Sequence, residues 1–358
     1  MKFTIVGAGG IGGLIGTWMA RAGCTVTFVE QWAEHAAAIR THGMSVTGSR
    51  GRWTVPVAAI VPDELASHGP LEMVIVAVKS QDTETALHQL LPFSTANTTF
   101  VSMQAGFNAL LFEKVVGRGR TVVANPHFGG ALTGAGQLEA GFPNYVWIGE
   151  WDGSLTSRLR SLQSALNHWT PTYMSENIWG VVWSKFCFGF QTICTSITDR
   201  PPGTEFDELR FKRVAAGLVD EAIQVTDALD IDLQGLDFFD PAPYRSGASF
   251  SPEGLAFWID HAWKRHEVFR QHGFHHYHKT GSGMRFDMRV RNRKSESTAR
   301  MPALRQLSAA AGIPTPYIDA MMQLVQEIET GVRVPSQDNL EALYALMSES
   351  GSAEKQHA

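Results

Sequence analysis

No apolar run in this chain of 358 residues is long enough to span a membrane, although 44% of its residues are hydrophobic. It lacks a surplus of positive charge: 30 basic against 35 acidic side chains leave a formal charge of −5. That balance argues against a nucleic-acid partner, which needs a basic patch or stripe. Cysteine is scarce. Cys24, Cys187 and Cys194 form no CxxC pair and show no metal-ligand spacing, so no metal site is expected. An odd count on apolar segments suits a reducing compartment, and a cytoplasmic protein is the expectation. Met1-Lys2 runs straight into an apolar strand, so no signal peptide is expected. Internal repeats and low-complexity segments are also missing. What remains is a chain too long for one ordinary core, and two domains are expected.

Glycine is plentiful, and its placement at the start is informative. Residues 1–13 read MKFTIVGAGGIGG: an apolar strand over 3–6, the turn Gly7-Ala8-Gly9-Gly10-Ile11-Gly12, then an apolar helix over 14–20. This is the strand–turn–helix context of a dinucleotide-binding fingerprint. Gly7 allows the tight turn, Gly9 lets the backbone approach a pyrophosphate, and Gly12 lets the helix pack closely on its strand. The helix N-terminus offers N–H groups and partial positive charge to phosphates. A bland glycine-rich turn is the alternative.

A second strand over 24–29 ends at Glu30. An acidic residue about twenty positions past such a turn accepts hydrogen bonds from the adenine ribose. The same carboxylate repels a 2′-phosphate, and no Arg or Lys lies in 30–35; Arg40 is the nearest. NAD is therefore preferred, with NADP as the alternative cofactor and a solvated strand-end Glu as the bland reading. Further strands are expected over 73–78, 99–103, 120–124 and 145–149. The continuous run MVIVAV marks a parallel strand covered on both faces. The loops carrying Lys79, Gln104-Ala105 and His127 follow the carboxyl ends of three of these strands, where ligands bind in such sheets. An α/β Rossmann domain with a parallel sheet is expected over 1–174.

After residue 174 the pattern turns helical, with helices expected over 181–194, 211–229, 252–271, 303–311, 316–329 and 339–347. An all-α domain over 175–350 and a frayed tail over 351–358 follow from this. Pro201-Pro202-Gly203 separates the first two helices. The stretch 237–252 is aromatic and Pro-interrupted, like an ordered loop over a pocket.

This half holds Trp183-Ser184-Lys185 early in an apolar segment. Downstream come Ser282-Gly283-Met284-Arg285-Phe286-Asp287, Arg293-Lys294-Ser295-Glu296 and Gly312-Ile313-Pro314-Thr315-Pro316. In these motifs and their order, together with the N-terminal glycine turn, the chain resembles the ketopantoate reductase family over nearly its whole length. The resemblance implies a Rossmann domain followed by a helical domain like that of 6-phosphogluconate dehydrogenase, and hydride transfer between a nicotinamide cofactor and a 2-oxo acid or its 2-hydroxy product. It implies a homodimer, Lys185 as the proton donor to the developing alkoxide, and Glu296 as the anchor of the substrate hydroxyl. A nearby ammonium stabilises charge building on a carbonyl oxygen, and burial lowers a lysine's pKa towards neutrality. A snorkelling Lys185 and a surface ion pair for Glu296 are the bland alternatives. Lys79 matches the family's lysine near cofactor and substrate, and Ser282 or Ser295 is a candidate to bind substrate.

The departures are as informative. Where the family has an asparagine after the fourth strand, this chain has Ala105. Where its lysine helix carries two asparagines, this chain has Gly189 and Ile193. A buried polar group left without a partner costs about 1–3 kcal/mol, so a small, highly polar substrate is disfavoured. Aromatic residues from Phe238 to Phe274 agree with a bulkier substrate, or simply pack a core. His272, His275, His276 and His278 have helical ligand spacing but no supporting carboxylate or cysteine, and one of them, or His127, is a candidate to hydrogen-bond substrate. The expected activity is therefore that of an NAD(P)-dependent dehydrogenase or reductase acting on a bulkier secondary alcohol or ketone. Authentic ketopantoate reduction is the alternative, and a non-catalytic NAD-binding sensor is the alternative of another class. A small-molecule hydroxy or oxo substrate is the expected partner.

Overall fold

The computed structural model describes residues 1–48, 50–141, 144–200, 204–236, 239–246, 283–289 and 293–354. Ser282, the histidines from 272 to 278, the helix expected over 252–271 and most of the aromatic stretch lie outside the described residues. The chain divides into two compact units, one reaching to Ile178 and the other starting at Trp179.

In the first unit, strands β1 (Lys2–Val6), β2 (Thr25–Val29), β5 (Ala58–Ile60), β6 (Met73–Val76), β7 (Thr99–Met103), β8 (Thr121–Pro126), β11 (Val146–Glu150) and β12 (Thr172–Met174) form one sheet. Its order is β12-β11-β8-β7-β6-β1-β2-β5. The chain starts in the middle, steps outward through β2 to β5, then returns to β6 on the other side of β1. That reversal between β1 and β6 is the topological switch point at which such sheets bind nucleotides. The run over 73–78 shows why its pattern reads as a doubly covered strand. Met73 and Ile75 join one buried cluster, while Val74 and Val76 join another on the opposite face. Helices α1 (Gly12–Arg21), α2 (Ala33–His42) and α6 (Ser157–Leu166) cover the first face. The second is covered by α3 (Leu65–His68), α4 (Thr83–Leu90) and α5 (Ala109–Val116).

Two features depart from expectation. The sheet is parallel except at one pairing: β11 runs antiparallel to β8, with Val146 opposite Pro126, and β12 follows β11, so both run opposite to the other six strands. The cause lies in the second departure, a small sheet of order β4-β3-β10-β9 formed by β3 (Met44–Gly48), β4 (Trp53–Val55), β9 (Gly130–Gly134) and β10 (Gln137–Ala140). After β8 the chain enters this sheet and returns without a helical crossover. It therefore rejoins the main sheet at the end where it left, running the opposite way. Met44, Val46, Leu138 and Ala140 add to the core on the side of α1.

The second unit is helical: α7 (Ile178–Cys194), α8 (Leu209–Ala228), α9 (Ala242–Arg245), then helices Gly283–Arg289, Glu296–Ala311, Pro316–Glu329 and Asp338–Glu354. Helix α8 buries Val214, Leu218, Ala222 and Val225, a stripe at helical spacing. At Gly217 a Cβ would stand 2.9 Å from the Met347 sulfur, so glycine admits the Asp338–Glu354 helix closely. The segment Gly312 to Pro316 works as two caps in tandem. Gly312, at φ +68°, closes one helix in the left-handed conformation, and Pro316 opens the next. The carboxylate of buried Glu221 then accepts the Tyr317 and Ile318 N–H groups at 2.9 and 2.7 Å. Burial pushes Glu221 up to about 7, outweighing the two N–H donors that favour its charged form.

The helix expected at 303 starts instead at Glu296 and runs through Pro302. The missing N–H of Pro302 is offset by strong anchoring of the first turn. The Ser295 hydroxyl accepts the Ser297 N–H, while Glu329 accepts the Ser295 N–H and the Thr298 hydroxyl at 2.7 Å each. The last helix reaches Glu354, past the point at which the sequence suggests fraying. Among the described residues no helix is long and apolar enough to cross a membrane.

Candidate active site

In the first unit the glycine turn connects β1 to α1. Gly7 sits at φ +92°, and a Cβ there would press on Val78 and Ala77. At Gly12 a Cβ would lie 2.2 Å from the Gly7 carbonyl oxygen and 2.9 Å from Ala77. These contacts make both positions glycine for the reasons the sequence suggests. At Gly9 a Cβ would meet nothing within 4 Å among the described residues, leaving open space over the turn on their side. Helix α1 has no side-chain cap and no acidic residue in its first turn, so its positive end is not neutralised locally. An open cradle over an uncapped helix start suits a pyrophosphate.

Glu30 lies beside this turn. One carboxylate oxygen accepts the Ala8 N–H at 2.8 Å and the other accepts the Trp32 N–H at 2.9 Å. Trp32 leaves 42% of its surface exposed and stacks on the His35 ring, with centroids 5.5 Å apart. Arg40, the nearest base in sequence, is engaged by Glu64 at 2.8–2.9 Å. Trp32 and His35 escape a reading based on motifs, because neither belongs to the fingerprint.

The loops after β6 and β7 meet through amides. The Gln104 side chain donates to the Val78 carbonyl at 2.8 Å and to the Thr83 hydroxyl at 2.7 Å. Its buried carbonyl oxygen has no hydrogen-bond partner among the described residues. Lys79 is half-buried, and its carbonyl accepts the Asp82 N–H. Ala105 occupies the position where an asparagine is missing, but Asn108 stands three residues on. The Asn108 amide donates to the Ala105 carbonyl at 2.9 Å and to the Ser80 hydroxyl at 3.0 Å, which links the same two loops. Its sequence signal is a polar residue immediately before helix α5. His127, at the end of β8, is buried against the Tyr145 ring at 4.6 Å. The glycine turn, Glu30, the Lys79 loop and Gln104 thus form one connected edge of the sheet, and none of the contacts described joins His127 to them.

In the second unit, Lys185, Gly189 and Ile193 recur at i, i+4 and i+8 on α7, which puts them on one face. Lys185 is half-buried. Desolvation, then the charge of Arg300, pull its ammonium down to about 7, while the Glu296 carboxylate opposes them. Glu296 and Arg300 are themselves paired at 3.2 Å, one turn apart, each about a fifth exposed. Arg300 completes a triad of charges that sequence motifs did not reveal; its signal is the i+4 spacing from Glu296. At Gly189 a Cβ would meet nothing within 4 Å among the described residues, and Ile193 follows on the same face. The Ser295 hydroxyl is engaged in capping its helix. Among the described residues no group of three or more His, Cys, Asp or Glu is placed to hold a metal.

Family comparisons agree with these features. The sequence model for ketopantoate reductase PanE/ApbA matches residues 3–153, and the model for its C terminus matches 177–329. The chain is 27% identical to the uncharacterized oxidoreductase YkpB of Bacillus subtilis over 57% of its own length and 67% of YkpB. It is 25% identical to a 2-dehydropantoate 2-reductase of Lactococcus lactis over 39% of its length, and spans less than half of that relative, 45%. In fold it resembles D-mandelate dehydrogenase, solved as a ternary complex with NADH and anilino(oxo)acetate. The TM-score is 0.75 at 20% identity, over 93% of this chain and 100% of that one.

Proposed function

The chain belongs to the ketopantoate reductase family, and we propose that it is an NAD-dependent oxidoreductase acting on a secondary alcohol or its ketone bulkier than ketopantoate. The observation that carries this reading is Lys185 on the α7 face it shares with Gly189 and Ile193, with Glu296 and Arg300 paired at 3.2 Å as the charges that act on it; burial and Arg300 draw its ammonium down to about 7. A group balanced there is both a competent acid and a competent base near neutral pH. A bound nicotinamide supplies the hydride in reduction and takes it in oxidation. In reduction the Lys185 ammonium gives its proton to the carbonyl oxygen as the carbonyl carbon gains hydride. In oxidation the neutral Lys185 amine takes the hydroxyl proton as the C–H bond breaks. Glu296 holds the substrate hydroxyl and works against Arg300 in setting the charge of Lys185.

On the nucleotide side, Glu30 receives the ribose hydroxyls, and the exposed face of Trp32 forms a wall for the adenine. With Arg40 engaged by Glu64, little nearby would welcome a 2′-phosphate, which supports NAD over NADP. Lys79 lies close to the cofactor, and the open carbonyl oxygen of Gln104 serves a ligand N–H. On the substrate side, the missing side chain at Gly189, with no described residue within 4 Å of where its Cβ would lie, and the apolar Ile193 favour a larger, less polar group. The NADH and anilino(oxo)acetate complex of D-mandelate dehydrogenase agrees with that direction. Ketopantoate reduction is the second reading, favoured by the 2-dehydropantoate 2-reductase relative.

The test follows nicotinamide absorbance with NAD(H) and NADP(H) against ketopantoate and a panel of aromatic and aliphatic hydroxy and oxo acids, alcohols and ketones. NAD-linked turnover of a larger compound with silence on ketopantoate is the expected result. Robust ketopantoate turnover would establish the second reading. Nucleotide binding without any turnover across the panel would favour a sensor.

A further inference from the structure

Ala8, buried in the middle of the glycine turn, is gripped at both ends of its backbone. Glu30 accepts its N–H, and its carbonyl oxygen lies 3.0 Å from Nε2 of His35. His35 is fully buried on α2. Its other ring nitrogen, Nδ1, lies 2.8 Å from the backbone N–H of Gly136, 101 residues away in the turn between β9 and β10. A carbonyl can only accept and a backbone N–H can only donate. The two bonds together therefore define a neutral imidazole with its proton on Nε2. Gly136, at φ +68°, keeps a backbone shape that a side chain would strain.

A second contact joins the same two regions. A Cβ on Gly10 would lie 2.2 Å from the Gly130 carbonyl oxygen, and one on Gly130 would lie 2.6 Å from the Gly10 oxygen. The small sheet is thus pressed against the dinucleotide turn at Gly10 and tied to it through His35. The turn acts on a phosphate through N–H groups whose direction depends on how each peptide plane is rotated. The Ala8 carbonyl fixes one of those planes.

We propose that His35 is a positioning residue of the nucleotide site: as the Nε2–H tautomer it holds the Ala8 carbonyl, using the small sheet as its anchor, and so aims the N–H groups of the turn at the dinucleotide. This rests on the nucleotide-binding reading above. It adds a residue outside the fingerprint, 27 positions along the chain from Ala8, with an effect read in cofactor affinity.

Three variants separate the two bonds. His35→Gln places an amide N–H near Nε2 and keeps the bond to Ala8. His35→Asn places a carbonyl near Nδ1 and keeps the bond to Gly136. His35→Leu keeps neither. ADP-ribose and NADH affinities are measured by calorimetry, with thermal midpoints alongside and the KM and kcat for NADH where turnover is found. The expected result is about tenfold weaker ADP-ribose and NADH binding in His35→Leu and His35→Asn, with affinity restored in His35→Gln although it too has lost the Gly136 bond. KM for NADH rises with the weaker affinity, and kcat stays unchanged. Wild-type affinity in His35→Leu, or affinities that follow the thermal midpoints regardless of which bond is kept, would overturn the proposal. If the wild-type protein binds neither ADP-ribose nor NADH, the nucleotide reading itself fails and this inference falls with it.

Discussion

In the first unit, the groups proposed to meet a ligand are peptide N–H groups of residues 7–12, whose turn is held by Glu30 and His35. In the second unit, the proposed reactive group is a side-chain amine whose charge is governed by burial, Arg300 and Glu296. The two arrangements fail in different ways. A backbone site tolerates many side-chain changes around it but no added Cβ at the wrong glycine. A charge site tolerates local reshaping but responds to any change in the charges beside it. On the proposed function, binding and chemistry rest on separable parts of the chain, and substitutions in one should leave the other's readout intact.

The largest effect is expected at the charge site. Lys185→Ala should lower turnover by about 10²- to 10⁴-fold, the usual contribution of a general acid–base group. ADP-ribose affinity, measured by calorimetry, should stay at the wild-type value. A parallel loss of both would break the separation. Next comes the backbone site. Gly12→Ala puts a Cβ 2.2 Å from the Gly7 carbonyl. Overpacking of this kind costs about 1–3 kcal/mol, so ADP-ribose binding and thermal midpoint should fall together, with no change in the pH dependence of kcat. Glu30→Gln keeps the shape but loses the charge that accepts two N–H groups. Binding of NADH should weaken by about tenfold, since hydrogen bonds to a charged group contribute roughly 1.5–3 kcal/mol, while NADPH binding loses less.

The fourth prediction sharpens the charge side through pH. With Lys185 near 7, reduction needs the ammonium and should decline as pH rises through that value. Arg300→Met removes a neighbouring positive charge, so the ammonium persists longer and the decline moves to higher pH. Glu296→Gln should move it to lower pH. The pH profile of kcat in the reducing direction reads both. The smallest effect concerns Glu221, a carboxylate that, like Glu30, accepts two backbone N–H groups, but in a buried setting. Its folded pKa of about 7 lies above the ordinary 4.5. The native protein therefore holds more protons than the unfolded chain between those values, and stability should fall as pH rises across that window. Glu221→Gln should flatten the dependence, as urea midpoints at pH 5 and pH 8 would show.

Elements whose signals are local were legible in the sequence. The turn over 7–12, the doubly covered strand at 73 and the helix Pro316–Glu329 lie where their residues indicate, because glycine, β-branched runs and an N-terminal proline act within a few positions. The small sheet was not legible. Its strands are short: β3 alternates buried and half-buried residues over too few positions to stand out, and β9 shows no alternation at all. The helix expected over 303–311 begins at Glu296 and runs through Pro302, where anchoring by Glu329, far along the chain, overrides the local preference of proline against a helix interior. At the candidate site, the fingerprint and lysine motifs pointed to Glu30, Lys185 and Glu296. His35, Asn108 and Arg300 stayed hidden because each matters through a partner that the fold, not the sequence neighbourhood, supplies.

The contact between Gly10 and Gly130 carries a consequence for descent. Two backbones meet there with no room for a methyl group on either side, and Leu14 stands 2.4 Å from where a Cβ on Gly130 would lie. Neither glycine can be rescued by shrinking the other, since both are already minimal. The pair is thus a ratchet in sequence space: once the small sheet is seated on the turn, both positions are held, although a fingerprint that fixes only Gly7, Gly9 and Gly12 would count neither. A saturation library scored for nucleotide binding should return glycine at each position almost alone, and double substitutions should do no better than single ones.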